Sequence, residues 1–249
     1  MHLHQLRQTK PSPARPAQQR GAALLLLVTV LALGAATLLM TGFSPQVMEQ
    51  RRIERTQQTL AQSRDALIGF ALQHGRLPRP AVSAQDGRES NTACASDADC
   101  SGFLPWVALG VAAADSWGNV LRYSVTPAFT QAPIRRNEVL ASKTIQTRYS
   151  DGSVRYVYGD DLCGRGACSP AVIFSTGKHN FGTSVQGVKQ RSGNVENADE
   201  RSNDQATQYF IVRQATDNSA LPGGAFDDML VYVPLSTLLT RMVFADKLD

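Results

Sequence analysis

The chain of 249 residues has few of the residues from which enzyme active sites are usually built. Beyond residue 20 it contains only two histidines, His74 and His179, and neither lies near a nucleophile pattern. A G-x-S-x-G motif is absent, and residues 175–178 (Ser-Thr-Gly-Lys) lack the earlier glycine of a phosphate-binding loop. These absences predict a protein without catalytic residues, in which His179 is a surface loop residue.

Acidic residues are absent from the N-terminal part of the chain. All 21 Asp and Glu residues lie after residue 43, together with 21 of the 25 Lys and Arg residues. The four leader cations, Arg7, Lys10, Arg15 and Arg20, therefore supply the whole formal charge of +4. The remaining chain is formally neutral, which argues against nucleic acid as a partner. Such a basic leader, residues 1–21, is typical of a membrane insertion signal.

Charged residues are also absent from the 22-residue segment Ala22–Phe43, which contains eight leucines. At about 1.5 Å per helical residue, this segment matches the ~30 Å hydrocarbon core of a bilayer. We expect a transmembrane helix over 22–43 whose insertion is favourable by about 3–6 kcal/mol, with a cytoplasmic N-terminus. A cleaved secretory signal is the alternative, but its apolar core should be about 7–15 residues long, and this run continues past 32–34.

A one-sided helical pattern follows the apolar segment. Ile53, Leu60 and Leu67 are seven residues apart, and polar residues fill most of the positions between them. The pattern ends at a glycine and a proline just after residue 74. We therefore predict that one long helix becomes amphipathic over 44–75, with a kink or break near Gly42–Pro45 because proline lacks an N–H group.

The residues from 76 to 249 predict one globular α+β domain. Runs of β-branched and aromatic residues indicate strands at 121–125, 154–158, 171–174, 209–212 and 229–233. The polar run 189–208 predicts a surface loop, and Ser236 is the predicted cap of a last short helix. The predicted fold is a long N-terminal helix packed on an antiparallel β-sheet.

The four cysteines form two close pairs, Cys94 with Cys100 and Cys163 with Cys168. Of three possible connectivities, the spacing favours a disulfide within each pair, and each would stabilise the fold by about 2 kcal/mol. A four-cysteine metal site is the alternative, but the gaps differ from those of zinc fingers. Disulfides indicate an oxidising compartment such as a bacterial periplasm.

Two segments carry a resemblance to a known family. Gln19-Arg20-Gly21-Ala22 resembles the prepilin peptidase site of type IV pilins and pseudopilins, where cleavage follows the glycine and the new N-terminus is methylated. The second segment resembles the D-x-W-G-N-x-x-R-Y motif that begins the first strand in pseudopilins. Its matching residues are Asp115, Trp117, Gly118, Asn119, Arg122 and Tyr123. We interpret these as structural, with Asp115 ordering the turn and Trp117 in the core.

The resemblance implies a non-enzymatic subunit of a type IV pilus or type II secretion pseudopilus. It also implies a single-pass protein of the bacterial inner membrane with a periplasmic domain, which joins a filament on assembly. The implied partners are other pilin or pseudopilin subunits through the N-terminal helix, the prepilin peptidase, the inner-membrane assembly platform and the lipid bilayer. Leu26 stands at the fifth mature position, where major pilins have Glu, and this resembles the K-type pseudopilins of the filament tip.

A different class of function remains open, namely a signal-anchored periplasmic domain that binds a partner without polymerising. A metal site also remains open. A candidate set of acidic residues in the C-terminal third consists of Asp199, Glu200, Asp204, Asp217, Asp227 and Asp228. Their carboxylates suit Ca²⁺, as in some pseudopilins, with Asp227 and Asp228 as the best pair. Because an ordered D-x-D-x-D-G spacing is absent, a solvated acidic loop is the competing interpretation.

Overall fold

The computed structural model describes residues 20–42, 44–135, 140–179, 181–190 and 197–248. The helices are α1 (Arg20–Gly42), α2 (Pro45–His74), α3 (Trp106–Leu109), α4 (Ala198–Gln205) and α5 (Leu235–Phe244). The strands are β1 (Ser101–Phe103), β2 (Arg122–Val125), β3 (Thr144–Arg148), β4 (Val154–Tyr158), β5 (Ala171–Ser175), β6 (Tyr209–Ile211) and β7 (Met229–Tyr232). The chain divides into two compact units, residues 1–49 and 50–249.

The first unit contains α1, whose described leucines and valines between Leu24 and Leu33 are 54–67% exposed. The helix ends at Gly42 and α2 begins at Pro45, so the predicted break occurs at the expected place. The leader up to residue 19 lies outside the described residues, as do the side chains of 36–43. No helix in the described part of the chain is long and apolar enough to cross a membrane.

The second unit is α+β, with α2 supplying one side of its core. Leu60 and Leu67 of the predicted stripe are buried, together with Ile68 and Ala71, whereas Ile53 is only half-buried. The four buried residues pack in one cluster with residues of β2, β5 and α5. The helix ends before Gly75, whose φ of +69° is the left-handed conformation that favours glycine.

The main sheet has four strands in the order β1-β2-β5-β7, and all its pairs are antiparallel. The antiparallel sheet was predicted, although β1 was not, because its sequence Ser-Gly-Phe has no strand pattern. Strand β5 is buried along its whole length. Ala171 and Ile173 face the cluster with α2, whereas Val172 and Phe174 face a second cluster with Ile145.

A second sheet of three strands, ordered β4-β3-β6, packs through that second cluster. Strands β3 and β4 are antiparallel, but β3 and β6 are parallel. The sequence did not predict this parallel pair or β3 itself. A parallel pair joins segments that are distant along the chain, so no turn signal marks it.

Two predictions for the C-terminal part are wrong. The run 189–208 is not wholly a loop, because it contains α4, which buries Asp199, Glu200 and Asn203. The buried face of α4 is polar, so hydrophobic periodicity could not reveal it. The last helix begins at Leu235 with Pro234 at its N-cap, so Ser236 lies inside the first turn and does not cap it.

Candidate functional site

The Asp115–Asn119 segment forms a tight turn that its own aspartate orders. Asp115 Oδ1 accepts hydrogen bonds from the backbone N–H groups of Trp117 and Asn119, each at 2.9 Å. Gly118 has a φ of +87°, which favours glycine in this turn. Burial raises the pKa of Asp115, although the hydrogen bonds that it accepts oppose the shift.

The same turn joins three elements of the second unit. Asp115 Oδ2 accepts a 2.6 Å hydrogen bond from the Ser175 hydroxyl at the end of β5. The backbone N–H of Ser116 donates to Thr56 Oγ1 on α2 at 3.1 Å. The Asn119 side chain donates to the carbonyl of Gly177 at 2.8 Å. Each of these contacts joins parts of the fold to the turn.

The remaining motif residues are structural as well. Tyr123 is almost fully buried, and its hydroxyl donates to the carbonyl of Pro78 at 3.0 Å. Arg122 forms an ion pair with Asp204 at 2.8 Å and lies over the ring of Phe103. Trp117 is only half-buried, so its predicted place in the core is not fully realised.

Both cysteine pairs form disulfides, Cys94–Cys100 and Cys163–Cys168. The first closes a loop that carries Asp97, whose carboxylate pairs with the fully buried ammonium of Lys143 at 2.5 Å. Asp160 lies close to the sulfur atoms of Cys163 and Cys168. Because these sulfur atoms form a disulfide, they are not free thiolate ligands for a metal.

The six acidic residues of the candidate set do not form one cluster. Asp199 is fully buried between Arg148 and Arg213, with N–O distances of 2.8 Å to each. Asp204 pairs with Arg122. Arginines therefore neutralise two of the six carboxylates, which leaves Glu200, Asp217, Asp227 and Asp228 as candidates for a metal.

Three of those four carboxylates surround His179 in the turn after β5. His179 Nδ1 lies 3.2 Å from Glu200 Oε1 and 3.5 Å from Asp227 Oδ2, and Nε2 lies 2.8 Å from Asp217 Oδ1. The Glu200 side chain is fully buried, and those of His179 and Asp227 are 19% and 11% exposed. Possible ligand atoms of His179, Glu200 and Asp227 all lie within 4.8 Å of one another.

The backbone around His179 is shaped to admit Asp227. The N–H of Lys178 donates to Asp227 Oδ2 at 2.8 Å, and the N–H of Asp227 donates to Glu200 Oε1 at 3.1 Å. Gly177 has a φ of +62°, and a Cβ at this position would overlap Asp227 Oδ1, so both the backbone conformation and the approach of Asp227 favour glycine.

Asp227 and Asp228, the pair predicted for Ca²⁺, have different surroundings. Asp227 belongs to the His179 group, whereas Asp228 Oδ2 accepts a 2.8 Å hydrogen bond from Asn203 on α4. Burial, with a smaller contribution from the charge of Glu200, raises the pKa of Asp227 to about 7. Burial also raises the pKa of Asp228 well above its ordinary value. Neither Asp227 Oδ1 nor Asp228 Oδ1 has a hydrogen-bond partner, although both atoms are buried.

Comparisons of the chain with protein families, with curated proteins and with solved structures found no match. The geometry of the molecule is therefore the basis of any functional statement. Sequence reasoning placed His179 on an ordinary loop and did not associate it with Glu200. The one available signal was a histidine in a glycine turn directly after a buried strand, and that signal is weak on its own.

The residues of the predicted processing site lie at the start of α1. Gly21 and Ala22 are helical and exposed. The next described residues include Leu26, which is 67% exposed. The part of α1 with described side chains, residues 21–35, contains no charged residue.

Proposed function

We propose that this chain is a non-enzymatic, pilin-like subunit, of minor abundance, in a type IV pilus or type II secretion pseudopilus. The observation that carries the proposal is the exposure of α1. Its leucines and valines from Leu24 to Leu33 remain 54–67% exposed, while the second unit buries a core of its own. Apolar surface that the chain itself leaves exposed requires cover from lipid or from other subunits.

A mechanical role follows from this requirement. Residues 22–43 would anchor the subunit in the inner membrane, with residues 50–249 in the periplasm. On assembly, helices of neighbouring subunits would replace the lipid around this segment. The exchange keeps apolar surface away from water throughout, so extraction from the membrane avoids the full hydrophobic cost.

Two features of the second unit support this assignment. The pseudopilin-like turn at Asp115 joins α2 to β5, as a unit carried on a helix requires. Both disulfides suit an oxidising compartment. In addition, the polar motif residues are engaged in holding the fold, which supports a role without catalysis.

The first test is fractionation of cells that express the full chain, with filaments removed by shearing. We expect the protein in both the membrane and the sheared filament fraction. Mass spectrometry of both forms should find Ala22 as the methylated N-terminus. An N-terminus at any other residue contradicts the processing step, and absence from sheared filaments contradicts the filament role.

Leu26 favours a second candidate, an anchored periplasmic domain that binds a partner and does not polymerise. Major pilins have Glu at this position, and an apolar residue removes that assembly contact. The two functions predict different outcomes in the shearing experiment, because an anchored domain stays entirely with the membrane. A tip subunit would instead appear in the filament fraction at low copy number.

A further inference from the structure

His179 lies where three segments that are distant in the sequence meet. It belongs to the turn after β5, Glu200 lies in the first turn of α4, and Asp227 lies two residues before β7. The possible ligand atoms of these residues converge within 4.8 Å, and the Glu200 carboxylate is fully buried. Water can therefore stabilise little of the negative charge at this point. The chain itself supplies neutral donors, namely the Asn197 amide at 2.9 Å from Glu200 Oε2 and the N–H groups of Asp227 and Lys178. A cation between the carboxylates and the imidazole would stabilise this charge more strongly.

The imidazole of His179 is held as metal-binding histidines are held. One ring nitrogen, Nε2, lies 2.8 Å from the exposed carboxylate of Asp217. When Nε2–H donates to Asp217, the lone pair of Nδ1 faces Glu200 and Asp227. In metal sites an outer carboxylate commonly fixes the tautomer of the ligating histidine in this manner.

A buried atom without a partner provides an independent indication of a ligand. Asp227 Oδ1 is shielded from solvent and accepts no hydrogen bond, and the same holds for the neighbouring Asp228 Oδ1, whose residue is 5% exposed. Buried carboxylate oxygens in proteins normally have donors or a cation beside them. The Asp227 oxygen is the relevant one, because Asp227 belongs to the His179 group, and it indicates that this residue is completed by something outside the chain.

We propose that His179, Glu200 and Asp227 bind one Zn²⁺ ion, which fastens the turn after β5, helix α4 and the start of β7 together. One imidazole nitrogen and two carboxylate oxygens form a donor set that suits Zn²⁺. Ca²⁺ takes 6–8 oxygen ligands and does not favour an imidazole. The site thus differs from the calcium pair, Asp227 with Asp228, that the sequence left open, and it does not depend on the filament function.

The test uses the full chain in detergent, stripped with a chelator and titrated with Zn²⁺ by calorimetry and by metal analysis after desalting. Wild type should retain one Zn²⁺ that His179→Gln and Asp227→Asn do not retain. His74→Gln is the matched control, because His74 contacts Phe70 and lies outside the site. It should retain zinc like wild type. Retention of the ion by His179→Gln, or stoichiometric binding of Ca²⁺ with none of Zn²⁺, would overturn the proposal.

Asp217→Asn tests the same site without altering a ligand, since the Asp217 side chain is 77% exposed. We expect unchanged stoichiometry with affinity weakened about 10- to 100-fold, as for other outer carboxylates. Zinc at about 100 times its Kd should also raise the Tm of wild type by about 5–10 °C. An unchanged Tm in wild type would contradict the fastening role, and unchanged affinity in Asp217→Asn would contradict the arrangement of ligands.

Discussion

Leu31 in α1 and Leu67 in α2 are identical side chains in opposite surroundings. Leu31 is 63% exposed, and Leu67 is fully buried. Over residues 21–35, α1 has only one polar side chain, Thr29, and its hydroxyl donates to the carbonyl of Leu26 within the helix. Helix α2, in contrast, carries charged and amide side chains on most of its surface.

The difference shows what each helix requires from its surroundings. A helix with a single apolar face can be covered by the rest of its own chain, as α2 is by the main sheet and α5. A helix that is apolar on all sides cannot be covered by one neighbouring surface. Lipid or several other helices must therefore cover such a helix to keep its apolar surface away from water. Variants in the two helices should consequently affect different measurements.

The largest effect is expected when charge is placed in α1. Leu27→Arg combined with Leu31→Arg should abolish retention in washed membranes, because each arginine near the centre of a span costs about 2.5–3.5 kcal/mol. Leu140→Arg combined with Val107→Arg is the control, since these residues of the second unit are exposed to nearly the same extent. The control should remain in the membrane fraction. If both double variants were retained in washed membranes to the same extent, α1 would have no special role in membrane retention.

The next prediction compares the same substitution, leucine to alanine, in the two helices. Leu67→Ala should lower the free energy of unfolding by about 4 kcal/mol, because it leaves a cavity in the core beneath α2. Leu31→Ala should change it by less than about 0.5 kcal/mol. Urea unfolding of the full chain in detergent, followed by tryptophan fluorescence, measures both. Similar losses at the two positions would show that α1 also contributes to the cooperative core.

Periodicity predicted the parts of the fold that bury apolar side chains. The stripe of α2 and the strands β2, β4, β5, β6 and β7 were all visible in the sequence. In α2, β2, β5 and β6 the buried residues recur with the period of a helix or a strand, or form a short continuous apolar run. Strand β4 is mostly exposed and β7 is half-buried, but both have the β-branched and aromatic residues of strands. Such signals are local, so a single sequence is sufficient to recognise them.

Helix α4 and the His179 site could not be recognised in this way. The buried residues of α4 are Asp199, Glu200 and Asn203, which read as a solvated loop. They are buried because partners from distant segments satisfy them, such as Arg148 for Asp199 and the backbone of Ile211 for Asn203. The convergence of His179, Glu200 and Asp227 likewise depends on tertiary packing, which the local sequence does not encode.

A buried ion pair in the second unit gives the next prediction. The ammonium of Lys143 is fully buried and donates to Asp97 and to the carbonyl of Thr207. Asp97→Asn should therefore destabilise the protein by about 3 kcal/mol, since the buried cation loses its counter-charge. Asp65→Asn, at an exposed pair with Arg64, should cost less than about 0.5 kcal/mol. Retention in the membrane should not change in either variant.

The same pair predicts how stability depends on pH. Burial raises the pKa of Asp97, but hydrogen bonds from Lys143, Gln208 and Ser142 outweigh this effect and hold the pKa below its ordinary value. A carboxylate with a lowered pKa stabilises the folded state above its unfolded pKa of about 3.9, and this contribution is lost as the pH falls. The difference between wild type and Asp97→Asn should thus shrink below about pH 4. A constant difference down to pH 3 would contradict the ionised pair.

The smallest of these effects concerns the Cys94–Cys100 disulfide, whose removal by Cys94→Ser with Cys100→Ser should cost about 2 kcal/mol. Because Asp97 lies inside this loop, opening the loop also weakens the hold on Lys143. In the variant without this disulfide, Asp97→Asn should therefore lower the free energy of unfolding by less than it does in wild type. If the two changes acted independently, their costs would simply add. Removal of Cys163–Cys168 is the matched control, and its cost should add to that of Asp97→Asn. If the cost of Asp97→Asn adds fully to the cost of removing either disulfide, the Cys94–Cys100 loop does not position Asp97. This disulfide would then stabilise the protein only by restricting the unfolded chain.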